Sequence, residues 1–264
     1  MTSFRAPTRL LAAVLLTAAA IATSGCGSDD DSGGELLVSA ATSLKTAFTS
    51  YGEQFDAADV QFSFAGSDEL AAQIRSGAKP DVFASANTKL PDALFADGLV
   101  EKPQVFASNR LVLAVPAGAT KVRSLDDLSA GGVSIAIGSP SVPIGAYTRK
   151  VLGRLDGAAR AGILANVRSN EPDVGGIAAK LGQQAVDAGF LYVTDVKASS
   201  GRLKAIDLPA ALQPGVDYGV AIVKGAPHRE AARAFVAGLL KGAGADALQA
   251  AGFGAARHPV TTTK

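Results

Sequence analysis

The sequence predicts an α/β protein with two lobes, and three observations support this prediction. The chain has 264 residues, of which 48% are hydrophobic and 19% charged, so it is globular and long enough for two cores. From Glu35 onward, short apolar runs alternate with amphipathic stretches, which is typical of strands and helices in parallel sheets. Two similar apolar strands, LVLAVP and YGVAIV, lie about a hundred residues apart and indicate a hinge between two lobes.

Seven apolar runs with few charges are predicted to be strands, as expected for strands buried on both faces. They are 36–40, 60–65, 81–86, 111–116, 133–138, 188–193 and 218–223. The predicted helices are 43–56, 67–76, 88–97, 124–129, 145–155, 174–183 and 228–251. We expect the strands at 111–116 and 218–223 to pair with each other and form a two-strand hinge.

The N-terminal segment is predicted to be a signal peptide (1–25) followed by a flexible tether (26–34). Two arginines, Arg5 and Arg9, precede the apolar run LLAAVLLTAAAIA, which is long enough for a signal-peptide core and short for a membrane span. The following TSGC resembles a bacterial lipobox, and Cys26 is the only cysteine in the chain. We therefore expect Cys26 to carry a lipid that holds the protein on the extracytoplasmic side of the membrane. The alternative is a cleaved secretory peptide with an incidental cysteine, because Thr23 replaces the usual leucine.

The charge pattern argues against a nucleic-acid partner. The formal net charge is +1, and the basic residues are not clustered, whereas phosphate contacts require clustered Lys and Arg. Removal of the predicted signal peptide would leave the mature chain close to neutral. After the polar run GSDDDSGG, which is predicted to be the tether, no further segment is both apolar and long enough to span a bilayer.

Enzymatic interpretations find little support in the sequence. The two histidines, His228 and His258, lie in the C-terminal segment and are both expected to be solvated. The motifs H-E-x-x-H, G-x-x-x-x-G-K-[ST] and C-x-x-C do not occur. Asp81, Asp195 and Asp217 lie near strand ends and could form a carboxylate cluster, although capping and loop hydrogen bonds are the favoured interpretation for them.

Four strand ends share a composition that favours anion binding. The first two loops are SAATSL, which contains Ser43, and FAGSDEL, which contains Ser67. The other two are GSPSVPIGAY, at the helix predicted from Gly145, and SNEPDVGGIAAKL, at the helix predicted from Val174. Each loop places small residues before a helix, so that backbone N–H groups without an intrahelical partner face the region beyond the strand ends. Converging helix N-termini can bind an oxyanion without a full positive charge.

Each of these loops also has an ordinary structural interpretation. Ser43 and Ser67, taken singly, are more often helix N-caps than ligand contacts. Glu69, Glu171 and Asp173 are the carboxylates expected in the first turn of a helix, and near a bound anion they would have to point away. A strand aromatic such as Tyr192 is more often half-buried packing than a ligand contact. No single loop therefore decides between structure and binding.

Taken in order, these motifs resemble the molybdate-binding proteins of molybdate ABC transporters, the ModA-type periplasmic substrate-binding family. The similarity runs from VSAATSLKTAF through FAGSDELAAQIRSGAKPDVFASAN and SVPIGAYTRKVL to EPDVGGIAAKLGQQAVDAGFLYVTDV, which is nearly all of the mature chain. The resemblance implies a two-lobe periplasmic-binding-protein fold of the type II-like class. Lobe I would comprise 35–110 and 218–264, lobe II would comprise 111–217, and the ligand cleft would lie between them.

The resemblance also implies site residues and partners. The oxyanion would be held by the hydroxyl and N–H of Ser43, by Ser67, by the backbone N–H groups of Ile144 and Val174, and by the phenol of Tyr192. The transported ligand would be molybdate or tungstate, with no cofactor and no reaction. Its other partners would be an ABC permease with its ATPase and the membrane through the lipid anchor, and the protein is expected to be a monomer.

Two departures from the family pattern and several alternatives stay open at this point. Ile144 stands where a small residue is common, and Asp68 stands where a neutral hydroxyl residue is frequent, so that its carboxylate would repel a dianion unless it turned outward. The same scaffold could bind sulfate, another oxyanion, a ferric ion or an organic anion. An unrelated alternative is a hydrolase or transferase that uses Ser43 or the aspartates.

Overall fold

The structure, a computed structural model, describes residues 34–257. The predicted signal peptide, the tether before Gly34, Cys26 and His258 lie outside the described residues. In the described part of the chain, no helix combines the length and the apolar character needed to cross a membrane.

The described residues form ten strands and nine α-helices in an alternating order. The strands are β1 Glu35–Ala41, β2 Asp59–Ala65, β3 Val82–Ser85, β4 Gln104–Asn109, β5 Leu111–Pro116, β6 Ile135–Gly138, β7 Val167–Glu171, β8 Ala188–Tyr192, β9 Leu203–Asp207 and β10 Val216–Ile222. The α-helices are α1 Lys45–Gly52, α2 Ser67–Arg75, α3 Lys89–Ala96, α4 Pro143–Leu152, α5 Gly157–Ala165, α6 Val174–Gly182, α7 Val193–Ala198, α8 Arg229–Leu240 and α9 Ala243–Ala251. Short 3₁₀ turns cover Thr42–Leu44, Asp126–Ser129 and Ala210–Leu212.

The strands form two five-stranded sheets, one in each lobe. The first sheet has the order β2-β1-β3-β10-β4 and the second has the order β7-β6-β8-β5-β9. Both sheets are mixed rather than purely parallel, because β10 runs antiparallel to β3 and β4, and β5 runs antiparallel to β8 and β9. The α/β fold with two lobes, predicted from the sequence, is confirmed in this mixed form.

The chain passes between the two sheets twice. The first passage is at Arg110, between the end of β4 and the start of β5, and the second lies between Asp207 and Val216. The strands predicted to pair as a hinge, 111–116 and 218–223, belong to different sheets and do not pair with each other. The pairing prediction is wrong because each of these strands finds its two partners within its own lobe. The passages nevertheless lie side by side, since Val216 is in register with Asn109.

Three strands were not predicted, and the predicted helix 228–251 is two helices. The additional strands β4, β7 and β9 all lie at the edge of a sheet. The C-terminal helix is broken at Gly242, where φ is +116°, a left-handed region that favours glycine and cannot continue an α-helix.

Apolar contacts in the main core and in one smaller cluster fix the helices that lead into the cleft. Helix α2 packs with Leu70 and Ile74 against Phe83 of β3, and these residues belong to one separate buried cluster. Helix α1 packs with Phe48 against Phe235 of α8, with their ring centroids 5.7 Å apart. These contacts hold the N-terminal ends of both helices at the carboxyl edge of the first sheet, since β1 and β2 run directly into them.

Candidate oxyanion site

A small cavity lies between the lobes at the strand ends predicted to carry the site. Its volume is about 20 Å³, and about 10–15 Å³ suffices for a single water. All five residues predicted to contact a ligand line it: Ser43, Ser67, Ile144, Val174 and Tyr192. The structure therefore brings the four loops together, while the role of these residues as ligand contacts stays a prediction.

A backbone N–H group holds the hydroxyl of Ser67 at the cavity. Ser67 is the first residue of α2, but Gly66 is the N-cap and no side chain caps the helix. The N–H of Ala86 instead donates to Ser67 Oγ at 3.1 Å. Because this bond uses the oxygen as an acceptor, the hydroxyl proton of Ser67 is free for another acceptor. The N-cap interpretation is wrong for this serine.

The hydroxyl of Ser43 is likewise not a helix cap. It lies in the 3₁₀ turn that precedes α1, and neither helical segment has a side-chain cap. Ser43 Oγ lies 2.9 Å from the phenol oxygen of Tyr218, a residue 175 positions away on β10. Both cavity serines therefore make tertiary hydrogen bonds in place of the local bonds that the sequence favours for single serines.

Two helices of the second lobe begin at the cavity and direct backbone donors toward it. Helix α4 begins with Pro143, which has no N–H, so that the first backbone donor of this helix belongs to Ile144. Helix α6 begins with Val174, whose N–H has no intrahelical partner. The carboxylate of Asp173 accepts the next two N–H groups, from Gly175 at 2.6 Å and Gly176 at 3.2 Å.

Two hydroxyl groups at the cavity are buried without any hydrogen-bond partner in the part of the chain that the structure describes. They are Tyr192 Oη, on a side chain that is 1% exposed, and Thr42 Oγ1. Burial raises the pKa of the Tyr192 phenol well above its usual value, so the phenol carries its proton. A buried hydroxyl without a partner costs about 1–3 kcal/mol. Sequence reasoning missed Thr42, although it stands beside Ser43 in the same motif.

Among the described residues, the cavity lining contains no basic side chain, and Asp173 is the one charged residue in it. Asp68 is half-buried and is not part of the cavity lining, although its Oδ1 lies next to Gly66, which does line the cavity. Asp173 departs from the expectation that the first-turn carboxylates point away, because it caps α6 at the cavity itself. Basic groups occur instead in an adjoining groove, where Lys45, Lys197 and Arg202 are part of the wall.

The lobes touch each other next to the cavity, so the structure is closed. A Cβ atom on Gly66 would lie 2.5 Å from the carbonyl oxygen of Pro172 in the other lobe. Lys197 of α7 donates to the carbonyl oxygen of Ala250 in α9 at 2.7 Å. These contacts join residues of the first sheet's lobe to residues of the second, on two sides of the cleft.

The carboxyl group of Asp195 is held next to the cavity residue Tyr192. It accepts the N–H of Tyr192 at 2.9 Å. Its pKa is raised to about 7, mainly by burial and also by the charge of Asp173, while the hydrogen bond from the Tyr192 N–H opposes the rise.

We expect Asp195→Asn to stabilise the protein at neutral pH and to have little effect near pH 4. The folded pKa lies above the unfolded value of about 4, so ionisation costs the folded state an increasing amount between about pH 4 and 7. Melting temperatures of both proteins across this range check the effect. A stability difference that does not change with pH would contradict it.

The other candidate catalytic residues do not come together. Asp81 accepts the N–H groups of Leu37 at 2.8 Å and His228 at 2.9 Å, and it contacts the His228 ring at 3.1 Å. His228 is therefore half-buried and paired rather than solvated, because Asp81 is fully buried and needs donors. Asp217 lies 3.7 Å from Arg257. Within residues 34–257, no three acidic, Cys or His side chains are placed to hold a metal ion.

Comparison with known families agrees with this geometry. The family described as "Bacterial extracellular solute-binding protein" matches residues 36–254. The chain belongs to this family. The family is extracytoplasmic, and its members are solute-binding proteins, so the hydrolase alternative is excluded.

A relative places the chain more narrowly within the family, and solved structures share its fold. The molybdate-binding protein ModA of Mycobacterium bovis is 38% identical over 224 residues, which cover 83% of this chain and 84% of the relative. The resemblance to the ModA-type family is thereby confirmed. The periplasmic molybdate-binding protein of Azotobacter vinelandii has a similar fold, with a TM-score of 0.74, 23% identity and coverage of 83% and 98%. The sulfate-binding protein SubI of Mycobacterium tuberculosis also has a TM-score of 0.74, with 18% identity and coverage of 87% and 88%.

Proposed function

We propose that this protein captures molybdate, and also tungstate, outside the cytoplasm and delivers it to an ABC importer. The observation that carries the proposal is the convergence of unpaired donors on one cavity that has no basic side chain. Tyr192 Oη is buried without a partner, and the hydroxyl proton of Ser67 is free. The relationship to ModA of Mycobacterium bovis supports molybdate as the ligand.

The donors match a tetrahedral dianion in number and type. An ion with four oxygens can accept hydrogen bonds from Ser43, Ser67 and Tyr192 and from the first N–H groups of α4 and α6. A buried dianion must have most of its oxygens satisfied, because an uncompensated buried charge is very costly. The positive ends of the two helix dipoles add to this stabilisation without placing a full positive charge in the cavity.

Selectivity against sulfate is proposed to come from the size of the cavity, since molybdate, tungstate and sulfate share charge and shape. The fold alone does not distinguish between these ligands, because the sulfate-binding and the molybdate-binding neighbour have the same TM-score to this chain. Phosphate differs, because its protonated form needs an acceptor for its own proton. The described residues that line the cavity supply donors from several loops and one carboxylate, Asp173, whose Oδ1 caps α6, so we expect phosphate to bind more weakly than molybdate.

Isothermal titration of the purified protein with molybdate, tungstate, sulfate and phosphate tests the proposal. We expect molybdate and tungstate to bind at micromolar concentrations or below, and sulfate and phosphate to bind much more weakly. Absence of molybdate binding at micromolar concentration would refute the proposed function. Tighter binding of sulfate than of molybdate would assign the same site to sulfate transport.

We propose that the mature protein works as a monomer without a cofactor, tethered through a lipid on Cys26. The lipobox-like TSGC and the single cysteine support the anchor. The other proposed partners are an ABC permease and its ATPase. Expression of the full chain with Cys26→Ser tests the anchor, because the variant should leave the membrane fraction while binding the oxyanion like the parent. Retention of that variant in the membrane would rule the lipid anchor out.

A further inference from the structure

The hydrogen bond between Ser43 and Tyr218 has a direction that can be deduced from its surroundings. The two oxygens are 2.9 Å apart, and either hydroxyl could be the donor as far as this distance shows. The direction matters, because Ser43 can give its proton to a ligand only if it accepts the proton of Tyr218. Tyr218 is fully buried on β10, so water does not offer it another partner.

The side-chain amide of Asn109 settles which way Tyr218 donates. Asn109 Oδ1 accepts the N–H of Arg110 at 2.8 Å, and this bond fixes the orientation of the amide. Its NH₂ group then donates to Thr194 Oγ1 at 2.9 Å and faces the phenol oxygen of Tyr218 at 3.5 Å. An amide NH₂ group has no acceptor capacity, so Tyr218 cannot donate toward Asn109.

Ser43 is consequently the acceptor for the phenol proton. In the described residues, Tyr218 Oη makes hydrogen bonds with Ser43 and Asn109 only. The oxygen of Ser43 is then used in the same way as that of Ser67, which accepts the N–H of Ala86. Each cavity serine thus accepts a hydrogen bond from the protein and keeps its own proton for the cavity.

We propose that Tyr218 is a positioning residue. By donating its phenol proton to Ser43, it holds the Ser43 hydroxyl as a proton donor directed toward the cavity. This inference rests on the proposed oxyanion-binding function. The order of donors runs from Asn109 to Tyr218, from Tyr218 to Ser43, and from Ser43 to the anion. Hydrogen bonds in such a chain polarise one another, so the last donor is strengthened toward a negative ligand.

Tyr218 also has a packing role, which the experiment must separate from the hydrogen bond. Its ring contacts Tyr192 and Phe253 edge-on, with centroids 5.9 and 5.3 Å apart. Tyr218→Phe keeps the ring and removes only the hydroxyl. The variant therefore tests the hydrogen bond while it preserves the aromatic packing.

A double-mutant cycle with the full mature protein tests the proposal. Molybdate affinity is measured for the parent, Tyr218→Phe, Ser43→Ala and the double variant. We expect Tyr218→Phe to weaken binding about threefold to tenfold, as for the loss of one hydrogen bond. In the Ser43→Ala protein the same change should have no further effect, because the group that Tyr218 positions is absent.

Ser67→Ala is the matched control, because Ser67 lines the same cavity and has its own donor, Ala86. Tyr218→Phe should weaken binding by the same factor in the Ser67→Ala protein as in the parent. The positioning role would be overturned if Tyr218→Phe weakened molybdate binding as much in the Ser43→Ala protein as in the parent. It would also be overturned if Tyr218→Phe did not weaken binding in the parent.

The affinity of the parent protein for each oxyanion separates the proposed function from the positioning role of Tyr218. If the parent binds sulfate rather than molybdate, the proposed ligand is wrong, and the cycle measured with sulfate still decides the role of Tyr218. A parent that binds no oxyanion overturns both the proposed function and the positioning role.

Discussion

Gly66→Ala should weaken molybdate binding roughly tenfold to hundredfold, a loss typical of overpacking. The new methyl group would lie 2.5 Å from the Pro172 carbonyl oxygen, a backbone atom that cannot move aside as a side chain does. The φ of Gly66 is −59°, which alanine adopts readily, so the first lobe itself should fold normally. The expected defect is therefore in closure of the lobes around the ligand. Small-angle scattering should show that molybdate compacts the parent and fails to compact the variant.

Two glycine variants serve as controls for this effect. Gly118→Ala has open space around the new methyl group and should bind like the parent. Gly175→Ala would place its methyl group 2.9 Å from the Thr42 methyl and from the Asp173 carboxylate, which are movable side-chain atoms, so a smaller loss is expected. Full compaction and unchanged affinity in Gly66→Ala would contradict closure at this contact.

Tyr192→Phe should weaken molybdate binding about tenfold to hundredfold without lowering the melting temperature of the empty protein. A hydrogen bond to a charged group contributes about 1.5–3 kcal/mol, which corresponds to this loss. Among the described residues the same hydroxyl is buried without a partner, so its removal takes no hydrogen bond from the fold. Ser43→Ala should weaken binding to a similar degree, because it removes another direct donor.

Tyr51→Phe is the matched control for Tyr192→Phe, because it is expected to change the melting temperature and not the molybdate affinity. Tyr51 Oη donates to the carbonyl oxygen of Phe235 at 3.1 Å inside the first lobe, away from the cavity. Its loss should lower the melting temperature and leave molybdate affinity unchanged. Calorimetric melting and titration of both tyrosine variants check the pair. A Tyr192→Phe protein that binds like the parent would remove the phenol from the site.

The fold was predictable from the sequence for the buried strands and not for three of the edge strands. Every predicted strand is present, and all except 111–116 have changed ends. The three missed strands, β4, β7 and β9, are sheet edges. In β7 the sequence VRSNE has no apolar run, because one side of an edge strand faces water, and its residues are alternately half-buried and exposed. Apolar patterning therefore finds central strands and misses such edges.

The loops of the site were predictable because their composition is local. Small residues before helices mark the four loops, and the resemblance to the ModA-type family implies the donors Ser43, Ser67, Ile144 and Val174 within them, all of which line the cavity. What holds the two serines was not predictable, since Tyr218 and Ala86 are brought to them by tertiary structure. For the same reason the local N-cap interpretation of both serines is wrong.

The charged residues show the same limit of local reasoning. Asp173 was recognised as a first-turn carboxylate, but only the structure shows that it caps its helix at the cavity wall. His228 was expected in solvent, and its partner Asp81 is 147 residues away in the chain. A sequence pattern covers neighbouring turns, whereas pairings over this distance depend on how the lobe assembles.

The most direct test of the central claim is a crystal structure of the protein with tungstate, located by its anomalous scattering. We expect one strong peak in the cavity between the lobes, within hydrogen-bonding distance of the Ser43 and Ser67 hydroxyls and the Tyr192 phenol. A peak in the groove beside Lys45, Lys197 and Arg202, with the cavity empty, would contradict a site built from neutral donors.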